Sequence, residues 1–340
     1  MRFVVIYKKR NYGIDLIKIL ACMGVVFLHV SAQSFRFSSP FNVNIYIYYL
    51  GTLSIPLFFM VNGYFLLNKN ILTYSYLLNK VYSMLVIITI WSFIYWLLSG
   101  NFYHDNLIKK VLGSLVQKGY FFQFWFFGSL IIIYLTLPIL KRVISSFKVH
   151  IILLLILIVA GSLIQLINFF VPHPPVQLKI IQTFRIWTWY AYYILGAFLG
   201  RNEIKDKLKS LNFKFLAYLT LPMLLIMPIP LFYISHNIFH VFYAEYFYDS
   251  IFIKTLAASV FILCSNLQIK DAWIGYIKIL SKNIMGIFIL HYHVMMILGK
   301  FYNISKTISN LIAIVVVFVL SFSISYIISK ITYINKLIEI

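Results

Sequence analysis

The chain has 340 residues, of which 62% are hydrophobic and 11% charged, against about 45–50% apolar and about 25% charged in ordinary soluble domains. So little polar surface excludes a water-soluble enzyme, so much hydrophobicity excludes intrinsic disorder, and two cysteines, Cys22 and Cys264, are too few for a secreted disulfide scaffold. The net charge of +21 would suit a polyanion, but no basic run with interleaved aromatics stands outside the apolar segments, so no nucleic-acid partner is expected.

Ten apolar stretches approach the roughly 20 residues that a helix needs to cross a hydrocarbon core of about 30 Å. They cover 12–32, 45–67, 78–98, 121–140, 149–170, 186–200, 215–234, 250–266, 284–298 and 311–331, the sixth and ninth being short. Val30-Ser31-Ala32 imitates a signal-peptide cleavage site, but Asp15 and Lys18 interrupt the apolar run before it, so the segment is read as a retained span. Between the third and fourth stretches, Leu107, Ile108, Val111, Leu112, Leu115 and Val116 recur on one helical face, which suits a helix lying along the membrane surface. Val171-Pro172-His173-Pro174-Pro175 reads as a rigid loop, because proline fixes φ and removes a donor. The segment 234–249 has no Lys or Arg but holds His236, His240, Glu245 and Asp249.

With the N-terminus placed inside, 19 of the 29 basic residues fall on that side. The expected fold is therefore an all-α, polytopic membrane bundle of about ten helices with both termini inside, built as a single domain over 1–340. Most of the +21 is then a record of topology.

Ionisable groups inside a bilayer are costly, so each is a functional candidate. The first span holds Asp15, Lys18 and His29. Eleven residues of helix advance about 20° past three full turns, which puts Lys18 and His29 on one face, about 16 Å apart along the axis. Asp15 and Lys18 also fit a structural ion pair at the interface, and His29 a buried histidine bonded to a neighbouring helix. In a functional reading, a neutral imidazole is suited to take a proton from a hydroxyl nucleophile and return one to a leaving group.

The segment Gly13-Ile-Asp-Leu-Ile-Lys-Ile-Leu-Ala-Cys-Met-Gly-Val-Val-Phe-Leu-His29 resembles the opening motif of the membrane acyltransferase-3 family, with an Asp, a basic residue three positions on and a later histidine. Further matches follow in order: Pro56-Leu-Phe-Phe-Met-Val-Asn-Gly-Tyr-Phe-Leu-Leu67, Phe124-Trp-Phe-Phe-Gly-Ser-Leu-Ile-Ile-Ile-Tyr134 with Pro138, Tyr193-Ile-Leu-Gly-Ala-Phe-Leu-Gly200, and Ser281-Lys-Asn-Ile-Met-Gly-Ile-Phe-Ile-Leu-His291. Lys18 stands where many members have Arg, and Asn62 where they have Ser. Lysine keeps the charge but loses the bidentate fork of guanidinium.

The resemblance implies transfer of an acyl group, usually acetyl from acetyl-CoA, to a hydroxyl of a cell-envelope polysaccharide or lipid-linked glycan, by a multi-pass protein of a bacterial cytoplasmic membrane. Acyl-CoA is then a co-substrate, with no permanently bound cofactor and membrane lipids around the bundle. His29 is the expected general base, with Asp15 orienting or neutralising Lys18 in the catalytic set. Lys18 and Arg185 are expected at the anionic donor, and Asn62, Tyr64, Trp125, Glu245 and His291 around the substrates. His291 and His293 point about 200° apart on a helix, which argues against joint metal ligation. The competing expectation is a carrier that moves a glycan or lipid-linked intermediate without acyl transfer, since Asp15, Lys18 and His29 also suit proton coupling.

Overall fold

The computed structural model describes residues 10–35, 40–100, 105–171 and 175–338. The basic residues Arg2, Lys8, Lys9 and Arg36 and the loop residues Pro172, His173 and Pro174 lie outside the described residues, as does 101–104. In hydrocarbon every backbone N–H and C=O must be satisfied within the protein, and among the described residues this chain does so with helices and without strands.

Helix α1 (Tyr12–Ser31) is opened by the Asn11 side chain, which accepts from the amides of Gly13 and Ile14. Helix α2 (Val43–Leu50) runs through one 3₁₀ turn into α3 (Ser54–Leu66). Then come α4 (Tyr74–Ser99), the short α5 (Leu107–Ser114), α6 (Trp125–Val143), α7 (Phe147–Phe170) and the four-residue α8 (Val176–Lys179). Helices α9 (Ile186–Leu199), α10 (Asn202–Lys209), α11 (Phe213–Ile226), α12 (Pro228–Ile234), α13 (Ile251–Ser265), α14 (Asp271–Phe301) and α15 (Thr307–Lys330) complete the order.

Among the described residues, eight helical segments are long and apolar enough to cross a membrane. The other two expected spans are α9, with 14 residues, and α13, with 15. Both have their C-terminal ends fixed to the long helices. The C-terminus of α9 meets the end of α3 through an Asn68 Nδ2 to Ala197 carbonyl bond of 2.9 Å, and that of α13 meets the start of α1 through Asn11 Nδ2 and the Ser265 carbonyl, also 2.9 Å. The ninth stretch, read as short at 284–298, is instead part of the 31-residue α14. Lys278 and Lys282, counted as loop residues, lie inside it, because a helix that projects past the hydrocarbon carries polar residues without ending. Helix α5 forms as expected, with Ile108 and Leu112 exposed on it.

Helices α1, α3 and α9 form the centre, while α7, α11 and α15 expose rows of Leu, Ile, Val and Phe outward. Lipid tails are as apolar as these side chains, so helix association rests on close packing rather than on the hydrophobic effect. The tightest approach is α3 on α9. A Cβ on Gly63 would run into the Tyr193 carbonyl, and one on Gly196 into the Met60 carbonyl, each a backbone atom of the facing helix. After α15 the chain folds back as a 3₁₀ turn, Ile334–Ile338, where the Leu337 carbonyl accepts from Trp91 Nε1 at 3.0 Å and Ile338 is 1% exposed.

Gly63→Ala and Gly196→Ala should each lower stability by about 1–3 kcal/mol, the usual cost of overpacking, read as a drop in the unfolding midpoint of the detergent-solubilised protein. Midpoints equal to wild type would show that α3 and α9 separate without loss.

Candidate active site

Asp15, 4% exposed, is held between Arg10 Nε at 2.5 Å and Lys18 Nζ at 3.1 Å, and Arg10 also donates to Ser281 Oγ of α14 at 2.9 Å. The interfacial ion pair is therefore present, with a second cation. It leaves Asp15 about 21 Å of helix rise from His29, so its carboxylate acts on Lys18 and Arg10 rather than beside the imidazole.

Lys18 lines a cavity of about 540 Å³ enclosed by α1, α3, α4, α6, α14 and the turn at Ile338. Two more lysines line it, Lys80 from α4 and Lys282 from α14. Between them the wall is aromatic and apolar, with Phe58, Phe126 and Phe288. Asn62 is fixed on this wall, donating to its own helix at the Phe58 carbonyl (2.9 Å) and accepting from Tyr134 O–H (3.1 Å). A site with cations at one side and an apolar bore suits a ligand with an anionic head and a long flexible arm.

A histidine pair that does not itself line the cavity lies behind its aromatic wall. Phe126 packs on Phe288 at 5.8 Å, Phe288 lies 6.0 Å from the His291 ring, and His291 lies 5.2 Å from His29, all between ring centroids. His291 is fully buried, and its Nδ1 lies 2.8 Å from the Phe288 carbonyl and 3.2 Å from that of Ile287. Carbonyls only accept, so Nδ1 carries the proton and Nε2 keeps its lone pair. That Nε2 is buried with no hydrogen-bond partner among the described residues. The pair thus presents a basic nitrogen of fixed tautomer beside His29, whose ring also meets Phe122 (5.3 Å) and Tyr292 (6.0 Å) edge-on. His293 faces away, against Phe121 and Tyr95.

Of the remaining expected residues, Tyr64 sits at the basic end, half-buried, with Lys205 Nζ 4.7 Å from its ring centre. Trp125 packs against Trp189 at 5.1 Å within the aromatic core and does not line the cavity. Arg185 does not join Lys18 either. It lies at the opposite end of α9, 3% exposed, donating to the carbonyls of Ile180 and Gln177 and pairing with Glu245 at 3.3 Å. Glu245 also accepts from Tyr243 O–H; burial lifts its carboxyl above the ordinary range, and Arg185 opposes the lift. Beside it Asp249 accepts from Thr188 Oγ1 (2.6 Å) and Gln177 Nε2 (3.1 Å), and Lys254 donates to the Asp249 carbonyl. These bonds make the network a buried brace at that end. Cys22 is buried, with its thiol donating to the Ile284 carbonyl at 3.8 Å.

Lys80, Lys282 and Tyr134 escaped the sequence reading. Both lysines counted only as topology markers; Lys80 lay inside the stretch 78–98, which was the available signal, whereas Lys282 fell before the stretch read as starting at 284 and is placed in a helix only by the structure.

Comparison with known proteins adds the following. The model of a family described as an acyltransferase domain matches residues 11–330. A protein named amino-acid racemase from Enterococcus faecalis is 30% identical over 143 residues, which is 40% of this chain and 20% of that protein. The chain thus spans about a fifth of the length of that relative, whose activity is not carried over. No solved structure matches the chain.

If Lys18, Lys80 and Lys282 share one opening, Lys18→Cys, Lys80→Cys and Lys282→Cys, each in a Cys22→Ala/Cys264→Ala background, should react with a membrane-impermeant maleimide from the same face of a vesicle. Asn237→Cys should react only from the other face. Labelling of the three lysine positions from different faces would dissolve the cavity as a single site.

Proposed function

Because the chain belongs to the acyltransferase-3 family and is a membrane acyltransferase, we propose that it moves an acyl group, acetyl in the first instance, from cytoplasmic acyl-CoA to a hydroxyl of a cell-envelope glycan. The observation that carries this reading is the cavity lined by Lys18, Lys80 and Lys282, whose wall residue Phe288 lies 6.0 Å from the His291 ring, which is in turn 5.2 Å from His29. In this reading ten passes put both termini on the basic side, and the excess of Lys and Arg there supports a cytoplasmic placement.

In this reading the donor phosphates meet the lysines and the pantetheine arm lies along Phe58, Phe126 and Phe288, so that the thioester reaches the histidine pair. The acceptor hydroxyl approaches from the other face. Its oxygen attacks the thioester carbonyl carbon while His29 takes its proton; the C–S bond then breaks, and the proton passes to the departing thiolate. His291, through Nε2, accepts a hydrogen bond from the protonated His29 ring and steadies its charge, as the third member of a triad does. Asp15 holds Lys18 toward the cavity. Asn62, fixed by Tyr134, offers the donor site an amide. Arg185, at the end away from the lysines, is not assigned to the donor, and with Glu245 it shapes the acceptor side.

The test uses purified protein in lipid vesicles with labelled acetyl-CoA and a cell-envelope glycan. Wild type should transfer label, and His29→Ala should lose about 10²–10⁴-fold in kcat, the usual worth of a positioned base, while remaining folded. Lys18→Ala should raise the donor KM, with partial recovery in Lys18→Arg. Transfer by His29→Ala at the wild-type rate would end the proposed base.

A further inference from the structure

A second cavity, of about 270 Å³, opens at the same basic end but on the far side of α3. Its cations come from three places: Lys141 in the last turn of α6, Arg201 at the N-cap of α10, and Lys205 on α10. Neutral acceptors hold two of them in place. Lys141 Nζ donates to the carbonyls of Lys69 and Asn70, and Arg201 Nη1 donates to the Ile144 carbonyl at 2.9 Å and lies 3.4 Å from His150 Nδ1. Arg201 Nη2 reaches the Ser145 carbonyl and Glu203, each at 3.3 Å. Carbonyls position a cation without cancelling its charge. The one carboxylate on the lining, Glu203, is 58% exposed, so water screens much of its effect. Arg201 Nε, by contrast, is buried with no hydrogen-bond partner among the described residues. The convergence of Lys141, Arg201 and Lys205 on one cavity fits an oxygen-rich anion, and phosphate above others.

The two cavities are linked through shared lining residues. A third, of about 370 Å³, shares Lys18 and Phe65 with the first and Asn68 and Lys205 with the second. The rings of Tyr64 and Phe65, 5.3 Å apart, form its floor, with Lys18 Nζ 5.4 Å from one centre and Lys205 Nζ 4.7 Å from the other. Arg10 and Asp15, the latter paired with Lys18, also line it, so a mainly cationic track runs from Lys18 past Lys205 to Arg201 and Lys141.

We propose that the Lys141–Arg201–Lys205 cavity binds a nucleoside phosphate monoester, the 3′-phosphoadenosine end of the acyl-CoA donor. The diphosphate then lies along the track past Tyr64 and Phe65, and the thioester arm turns into the larger cavity. This assignment rests on the acyl-CoA reading and deepens it: the enzyme distinguishes full acyl-CoA from a thioester that lacks the 3′-phosphate.

The experiment compares acetyl-CoA with acetyl-dephospho-CoA. Wild type should show a KM about tenfold lower for acetyl-CoA, the worth of one or two charge-assisted contacts. In Arg201→Gln and Lys141→Gln the KM for acetyl-CoA should rise so that the ratio of the two donors falls toward one. A ratio near one in wild type, or one retained in both variants, overturns the proposal. Because Arg201 and Lys141 also tether carbonyls, Lys205→Gln is run beside them, and binding of adenosine 3′,5′-bisphosphate is measured on each folded protein against adenosine 5′-monophosphate. Preferential binding of the bisphosphate by wild type, lost in the variants, supports the cavity even if no acetyl transfer occurs with either donor, an outcome that would defeat the acyl-CoA reading alone. Equal binding of the two nucleotides, with both displaced by phosphatidylglycerol vesicles and not by phosphatidylcholine vesicles, would give the cavity to a lipid headgroup and overturn the proposal.

Discussion

The arrangement of this molecule depends on how closely α3 can approach α9. Gly63 and Gly196 each face a backbone carbonyl of the other helix with no room for a methyl group. In a bilayer, where apolar side chains gain little by leaving lipid for protein, such backbone contact is a main source of helix association. It also sets function-bearing geometry. Asn62 looks into the larger cavity from one side of α3, whereas Tyr64, Phe65 and Asn68 border the track at its end. Helix α9 then delivers Arg201 directly beside them. Two cavities that are far apart in sequence are neighbours because two glycines let the helices touch.

Around this contact the chain pays for its buried polar atoms in two ways. At the basic end Asp15 is shared by Arg10 and Lys18, and at the other end Asp249 is satisfied by Thr188, Gln177 and the nearby Lys254. Asn168 extends that second network, donating to Gln177 at 2.6 Å. Both are closed arrangements and serve as braces. The contrasting atoms are His291 Nε2 and Arg201 Nε, buried yet unspent among the described residues. Leaving a buried polar atom without a partner costs on the order of 1–3 kcal/mol, and a proton taken up by His29 would give His291 Nε2 a donor.

Much of the architecture was legible before any coordinates. Hydropathy located the spans because a hydrocarbon core demands about 20 apolar residues per crossing, and helical periodicity placed Lys18 and His29 on one face. Both signals are local to one segment, so they survive without knowledge of packing. The same locality explains the errors. Hydropathy cut α14 short at 284, since Lys278 and Lys282 look like the end of a span although the helix runs on from Asp271. Arg185 read as a donor contact because a single cation in a short span gives no hint of its end of the bundle or of Glu245, 60 residues on.

What the sequence by itself determined is the solvent, the helical class, the approximate spans, and the scarce ionisable residues of α1, all consequences of hydrocarbon length and of the cost of charge within it. Only the tertiary structure decided which residues line a common cavity. Lys18, Lys80 and Lys282 come from three helices, and Tyr134 reaches Asn62 across 72 positions of sequence. The tautomer of His291 and the pairing of its ring with His29 likewise depend on how α14 docks on α1. A cavity is a property of the space between helices, and that space is set by packing contacts such as Gly63 on Tyr193 and Gly196 on Met60, which no single segment encodes.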